Sequence, residues 1–456
     1  MSLQIVAGGS GAGKSTYIYS DVIEKSMKYP EKNYIVVVPE QYTMATQKKL
    51  VESHPRKGIL NIDVVSFERL SYKVFEEIGG QNHPVLDDTG KNLIVRKVLG
   101  DNRDKLRYFG SNINKTGFVS ELKSVISEFL QYDIDVKRLG EIQERVEDSR
   151  QLSAKLDDIS VVYSAFKEYL ADNYITSEEI LSVLCSVIDR SENIKRSEII
   201  LDGFTGFTPI QYRLIELLLI YSGKVTVSVT ADSREKLNVN EGVQQLFFMS
   251  KEMVSKLYRI CDVIHVDVLN PIILDNEKNP RFVSDEIAFL EKNIFRNNNQ
   301  SYNKKCEDIK IIIAQTPKEE LNYCISEILR LTRYEGYRYR DIAIVSADMA
   351  SYGILAGNIC RQNRIPCFVD NKKPVTDNPF VEYIRSALEI IEKSFTYDSM
   401  FRYLRSGMSG ISREDVDLLD NYCLAVGIRG SKQWHGTWVK KGRGRSAYPL
   451  DYLNEL

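Results

Sequence analysis

The sequence lacks a long apolar segment, since no run approaches the 18 or more apolar residues that a transmembrane helix requires. Its seven cysteines are scattered without a Cys-x-x-Cys pair and its four histidines are far apart, which argues against a disulfide framework or a metal cluster. The formal net charge is −2, so a nucleic-acid role would need a local basic groove. The first residues read as a strand and not as a signal peptide. These features predict a cytoplasmic globular protein with no membrane association.

A glycine-rich loop begins at the eighth residue. The apolar run Leu3–Ala7 predicts a buried strand before it, and a helical pattern from Ser15 to Lys28 follows it. Glycines let successive backbone N–H groups cradle phosphate oxygens, while Lys14 reaches the β- and γ-phosphates and the Ser15 hydroxyl ligates Mg²⁺. We therefore expect a site for ATP and Mg²⁺ formed by Gly8, Gly9, Ser10, Gly11, Ala12, Gly13, Lys14 and Ser15.

Besides the Ser15 hydroxyl, a P-loop NTPase needs an acidic residue at the end of another strand to hold the metal ion. The apolar run Ile199–Leu201 ends in Asp202, which supplies that pattern. Gly203 follows, where P-loop motors commonly carry a glutamate that activates the attacking water. Because loss of a general base typically costs about 10²–10⁴ in rate, the sequence predicts ATP binding with weak hydrolysis.

The alternation of strand and helix signals predicts an α/β fold of the P-loop NTPase class with a parallel sheet. Strand signals disappear across the middle, where Phe118, Leu122 and Val125 begin a helical stripe. They return near Ile309–Ala314, Asp341–Val345 and Pro366–Val369. The predicted organisation is a P-loop α/β domain at 1–85 and 196–270, a helical insertion at 86–195, a linker at 271–306, and a second α/β domain at 307–456 that runs into a partial helical insertion.

The 188-residue spacing between Lys14 and Asp202 separates the candidate classes. Small nucleotide kinases have no room for a helical block of that size. A two-domain motor of the helicase type does, because it carries a helical subdomain inside the first α/β domain and closes a second one over the nucleotide.

Several segments resemble the AddB (or RexB) family, the B subunit of the bacterial ATP-dependent helicase–nuclease that processes double-strand DNA breaks. The resemblance extends along essentially the whole chain and is carried by the P-loop and by Val38–Thr43, Val65–Leu70, Leu201–Pro209, Ile365–Asp370, Leu419–Tyr422 and Gly427-Ile428.

The resemblance implies a superfamily 1 helicase-like fold with 1A-, 1B- and 2A-like parts and a heterodimer with the A subunit, which carries the main translocase. It also implies single-stranded DNA contacts from two segments, with Gln41, Thr43, Ser66 and Phe67 as the candidate residues. Backbone amides can grip phosphates and Phe67 can stack on a base. Phe67 as an ordinary core residue is an equally good interpretation.

The chain also departs from an active motor. No glutamine-bearing segment precedes the P-loop, no Gln stands in Ala231-Asp232-Ser233, and no Arg stands in Ser346-Ala347-Asp348. The resemblance also implies that the complete protein continues beyond residue 456 with a nuclease domain and an iron–sulfur cluster. Neither is expected within this chain, whose cysteines lack the cluster spacing.

The leading hypothesis is therefore an N-terminal, helicase-like part of a break-processing subunit that binds ATP with Mg²⁺ and single-stranded DNA but hydrolyses ATP only weakly. Two alternatives stay open from the sequence: an active ATP-driven DNA motor, and a structural, DNA-holding partner module whose P-loop is a relic. A small-molecule kinase leaves the helical insertion and the second α/β region unexplained.

Overall fold

The computed structural model describes residues 1–79, 84–110, 112–113, 115–132, 134–144, 150–171, 174–239, 242–274, 279–296, 300–370, 375, 378–440 and 449–456. The chain divides into two compact units, Met1–Ile309 and Lys310–Leu456. Among the described residues, no helix is both long and apolar enough to cross a membrane.

The first unit is built on a parallel sheet, as its strand and helix alternation predicts. The strands are β1 Ser2–Gly8, β2 Asn33–Val37, β3 Ile62–Val65, β4 Val85–Leu86, β5 Ile175–Thr176, β6 Ser197–Leu201, β7 Lys224–Thr230, β8 Asp267–Val268 and β9 Ile272–Leu274. The central sheet has the order β3-β2-β6-β7-β1-β8, with β9 also paired to β1, while β4 and β5 form a separate two-stranded sheet. Every strand pairing in the described residues is parallel.

Both faces of the central sheet are buried, which explains why its strands are continuous apolar runs. Side chains alternate along a strand, so Leu3 and Ile5 enter one apolar cluster and Val6 enters another. The strands are fixed in register by pairs such as Ile5 with Val227. The sheet therefore holds the ends of β1 and β6 in a defined relation.

Twelve helices are described in the first unit. The best predicted start is that of the helix Pro209–Tyr221, where Thr208 and Gln211 form a capping box and Pro209 occupies the first turn. The helices are α1 Lys14–Lys28, α2 Thr43–Ser53, α3 Phe67–Ile78, α4 Asp88–Asp101, α5 Thr116–Gln131, α6 Val136–Glu144, α7 Arg150–Leu170, α8 Ile180–Val187, α9 Glu192–Lys195, α10 Pro209–Tyr221, α11 Phe248–Ile264 and α12 Asp285–Asn293.

The middle of the chain forms a helical layer with its own core, built largely from α4, α5 and α7. Leu122 of the predicted stripe is buried in it, together with Tyr163, Phe166 and Leu170 of α7. The short β4–β5 pair was not predicted, because two-residue strands carry no periodicity. The segment 271–306 also differs from the expected linker: it contains β9, which pairs with β1, and the helix α12. The apolar run Ile272–Leu274 is only three residues long, and it forms a strand because it pairs with β1.

The second unit is helical in its described residues. Its helices are α13 Pro317–Tyr334, α14 Met349–Gln362, α15 Pro379–Glu392, α16 Tyr397–Leu404, α17 Arg413–Val426, α18 Ser431–Trp434 and α19 Leu450–Glu455. Short 3-10 helices also occur in the chain, at Glu40–Tyr42, Arg103–Lys105, Ile188–Arg190 and Tyr339–Asp341.

The three strands expected in the second unit are not formed in the described residues. Ile309–Ala314, most of Asp341–Val345 and Pro366–Val369 are without regular structure, although α13 and α14 lie where helices were predicted. A strand requires backbone partners, and an apolar run specifies only its own side chains. Ile313, Val345 and Phe368 are almost fully exposed, so no layer of the described chain covers their outer side.

Candidate nucleotide-binding site

The glycine-rich loop lies at the carboxyl end of β1 and leads directly into α1. Gly11 and Gly13 have φ angles of 80° and 91°, in the left-handed region that glycine adopts without strain. The loop is closed by a bond from the Ala12 N–H to the Gly9 carbonyl (3.2 Å). Strand, loop and helix thus occur in the order that places backbone amides and a helix N-terminus at one point.

The Lys14 ammonium group folds back onto the loop. Its Nζ donates to the carbonyls of Gly8 (3.0 Å) and Gly9 (2.8 Å). In the described part of the chain, no carboxylate oxygen lies within 4.0 Å of it. Burial lowers the pKa of Lys14, the charge of Asp202 opposes that change, and the nearby charge of Arg281 adds to it. Lys14 is therefore a partly desolvated cation, and none of the described residues forms a direct ion pair with it.

The fold brings Asp202 to this loop across the sheet. Asp202 follows β6 and is 5% exposed. Its carboxylate accepts one hydrogen bond from Tyr19 of α1 (2.7 Å) and one from Ser228 of β7 (2.5 Å). Through Tyr19, which also contacts Ser15, Asp202 lies beside the start of α1, although it is 188 positions from Lys14 in sequence.

Tyr19 connects the metal-ligand candidates. Its hydroxyl donates to Asp202 and is also in hydrogen-bond contact with Ser15 and, at 3.5 Å, with Thr46. Burial, followed by the charge of Asp202, raises the pKa of Tyr19, so the hydroxyl stays protonated and acts as a donor. Tyr19 was not predicted from the sequence, although a tyrosine one helical turn after Ser15 lies on the same face of α1.

Two further residues that were not predicted from the sequence contact the loop at Ser10. Asn279 donates from Nδ2 to the Ser10 carbonyl (2.7 Å), and Arg281 donates from Nη1 to the Ser10 hydroxyl (3.2 Å). The Arg281 stem lies so close to Gly11 that an added Cβ there would be 2.7 Å from the Arg281 Cβ. Their position follows from β9, which pairs with the second half of β1 and ends beside Gly8.

The residues present fit a phosphate chain and a magnesium ion. Ser15 and Asp202 offer the oxygen donors that Mg²⁺ prefers, and each Asp202 oxygen keeps a lone pair after its one hydroxyl bond. The described residues contain no group of three or more His, Cys, Asp or Glu side chains able to hold a metal. The remaining ligands would therefore be phosphate oxygens and water.

The four DNA candidates lie at the carboxyl ends of the neighbouring strands β2 and β3. An ion pair between Glu40 and Arg69 (3.0 Å) joins the two segments. Gln41 is exposed, whereas Thr43 is buried and its hydroxyl donates to the Glu40 carbonyl (2.9 Å).

Ser66 and Phe67 have structural contacts of their own. The Ser66 hydroxyl caps α3 by accepting the Arg69 N–H (3.3 Å). Phe67 is 7% exposed, with its ring 5.3 Å from that of Phe204 and 6.3 Å from that of Phe207. In this conformation its ring faces the core, and base stacking by Phe67 stays a prediction.

Fold and site together define a mixed α/β protein with a mostly parallel central sheet and a glycine-rich loop after its first strand. The chain belongs to the family described as ADDB, N-terminal, whose model matches residues 5–291. The resemblance drawn from its sequence motifs is thereby confirmed.

Curated relatives agree along the whole chain. It is 44% identical to the B subunit of the ATP-dependent helicase/deoxyribonuclease of Lachnoclostridium phytofermentans, over 100% of this chain and 40% of that protein. It is 36% identical to the protein of the same description from Clostridium novyi, over 96% of this chain and 38% of the relative. For the protein of the same description from Caldanaerobacter subterraneus the identity is 35%, over 100% and 38%. The chain thus spans about two fifths of the length of these relatives.

Proposed function

We propose that this chain is the N-terminal, helicase-like part of a B subunit of an ATP-dependent helicase/deoxyribonuclease, and that it binds ATP and Mg²⁺ at the loop Gly8–Ser15. The observation that carries the proposal is the pair of cations at the loop. In the described residues, neither Lys14 nor Arg281 has a carboxylate within 4.0 Å. Two neighbouring cations that form no ion pair with a carboxylate among the described residues favour a multiply charged anion, and a triphosphate between them would neutralise both.

The metal ion would be held by the Ser15 hydroxyl and, through water, by Asp202. Bound there, Mg²⁺ would offset the negative charge of the phosphates. Tyr19 and Ser228 keep the Asp202 carboxylate oriented towards the loop, because each hydroxyl donates to a different oxygen of it. This arrangement presets the acidic ligand before nucleotide binds.

Hydrolysis at this site is proposed to be weak. The residue after Asp202 is Gly203, whose backbone N–H donates to the Ser228 hydroxyl (3.2 Å) and which has no side chain to act as a base. Since a general base contributes about 10²–10⁴ in rate, ATP hydrolysis at this site is expected to be slower than in an active motor by roughly that factor.

The names of the relatives motivate the wider role. We propose that the complete protein pairs with an A subunit as a heterodimer and processes DNA break ends for recombinational repair. Single-stranded DNA would bind along the carboxyl ends of β2 and β3, next to Gln41, Thr43, Ser66 and Phe67. Nuclease activity and the expected iron–sulfur cluster are assigned to the part of the relatives that this chain does not match.

The experiment is a calorimetric titration of ATP with Mg²⁺ into the purified chain. A charged hydrogen bond contributes about 1.5–3 kcal/mol, so Lys14→Ala should weaken ATP binding by roughly 10- to 100-fold. Lys28→Ala is the matched control, because Lys28 lies in the last turn of the same helix, far from the loop. Equal affinity of the wild type and Lys14→Ala would contradict the site. A parallel titration with labelled single-stranded DNA, with and without ATP, tests whether the two ligands are coupled.

A further inference from the structure

Among the described residues, Asn279 is the one buried amide side chain that connects the glycine-rich loop to the segment after β9. It is 8% exposed and lies five positions beyond the end of β9. Its Nδ2 donates to the Ser10 carbonyl (2.7 Å), while its Oδ1 accepts the Arg281 backbone N–H (3.0 Å). Each end of one short side chain thus fixes a different component of the site.

The orientation of this amide is determined by its partners. A backbone carbonyl can only accept and a backbone N–H can only donate, so the NH₂ group must face Ser10 and the oxygen must face Arg281. A rotated amide would lose both bonds and place like groups against each other. Inside a nearly buried site such a loss is costly.

Holding the Ser10 carbonyl also fixes the neighbouring N–H group. In a planar trans peptide, the carbonyl of one residue and the N–H of the next point in opposite directions. The Gly11 N–H is therefore directed away from Asn279. Within the described chain it donates to no protein acceptor, so it is available to an incoming ligand.

The second bond of Asn279 places a positive charge. By accepting the Arg281 N–H, the amide holds that residue where its stem packs on Gly11 and its guanidinium reaches the Ser10 hydroxyl. Asn279 consequently sets a free amide and a cation at the same loop, and both are groups that recognise phosphate oxygens.

We propose that Asn279 is a positioning residue of the nucleotide site, which presets the Ser10–Gly11 peptide and Arg281 to receive the phosphate chain of a nucleoside triphosphate. The inference rests on the proposed function, since it concerns the same loop. It assigns to the segment after β9 a part in reading the charge of the nucleotide, independently of the base.

The test compares Asn279→Asp with the wild type. The substitution is nearly isosteric and keeps an acceptor for the Arg281 N–H, but it replaces the donor that faces the Ser10 carbonyl with an anionic oxygen. The matched control is Asn61→Asp, because the Asn61 amide donates to the Ser26 and Lys32 carbonyls at the opposite edge of the sheet. Dissociation constants for ATP, ADP, AMP and inorganic triphosphate are measured by calorimetry, with the melting temperature of each nucleotide-free protein.

We expect Asn279→Asp to weaken ATP and inorganic triphosphate by roughly tenfold or more. The loss should shrink from ATP to ADP to AMP, a dependence on phosphate number that general destabilisation would not produce. Asn61→Asp should bind all four ligands like the wild type.

Arg281→Ala provides a second route that leaves the apolar core untouched, because the residue is exposed. If Asn279 acts through Arg281, the affinity losses of Asn279→Ala and Arg281→Ala should be less than additive in the double variant. Full additivity, or wild-type affinity of Asn279→Asp for ATP, overturns the inference while leaving the ATP site intact. Failure of the wild-type chain to bind any triphosphate would instead refute the proposed function itself.

Discussion

Phe67 gives the sharpest test between a core role and a DNA-stacking role. Its ring is 7% exposed and packs against Phe204 and Phe207. Truncating a buried phenylalanine typically costs about 3–5 kcal/mol, and loss of paired aromatic rings is included in that range. Against a typical domain stability of about 5–15 kcal/mol, Phe67→Ala should move the unfolding transition of the first unit markedly. A residue that serves DNA from the surface would instead lose about 1–3 kcal/mol of binding with little change in stability.

The assay uses the distribution of chromophores between the two units. Both tryptophans, Trp434 and Trp438, belong to the second unit, so their fluorescence during urea unfolding reports on that unit alone. Hydrogen exchange in β3 and α3 reports on the first unit, whereas far-UV circular dichroism sums over the helices of both units. We expect Phe67→Ala to speed hydrogen exchange in β3 and α3 and to leave the tryptophan transition in place, whereas the exposed Tyr42→Ala should change neither. An unchanged unfolding profile together with weaker binding of single-stranded DNA would refute the core assignment.

Three further changes test the site and its support. Gly11→Ala should lower ATP affinity at least tenfold in calorimetric titrations, because the added Cβ would lie 2.7 Å from the Arg281 Cβ and the φ of Gly11 is positive. Gly79 also has a positive φ but lies in open space, so Gly79→Ala should bind ATP like the wild type. Tyr19→Phe removes one donor to the buried Asp202 and should cost about 1–3 kcal/mol, measured by denaturant unfolding. Lys91→Met leaves the Asp88 and Glu178 carboxylates without their buried partner and should lower the melting temperature of the helical layer. An unchanged melting temperature would argue against these ion pairs.

The parts of the fold that could be predicted are those that local sequence specifies. Continuous apolar runs such as Ile199–Leu201 mark strands buried on both faces, and Thr208 with Gln211 marks a helix start without any tertiary information. The β4–β5 pair could not be predicted, since two residues have no detectable period. The runs after Ile309 show the opposite failure: their apolar pattern suits a strand, yet strand formation depends on a partner that the pattern does not contain.

The same distinction separates the parts of the candidate site. Lys14 and Ser15 follow from a motif whose spacing encodes its geometry, and Asp202 follows from its place after an apolar strand. Asn279 and Arg281 depend on a three-residue strand, β9, which pairs beside the end of β1 and so delivers the residues that follow it to the same edge of the sheet. Because the carboxyl ends of parallel strands meet at one edge, a site there collects residues from segments that sequence separates. The chemistry of this loop is therefore a property of strand order as much as of the glycine-rich motif.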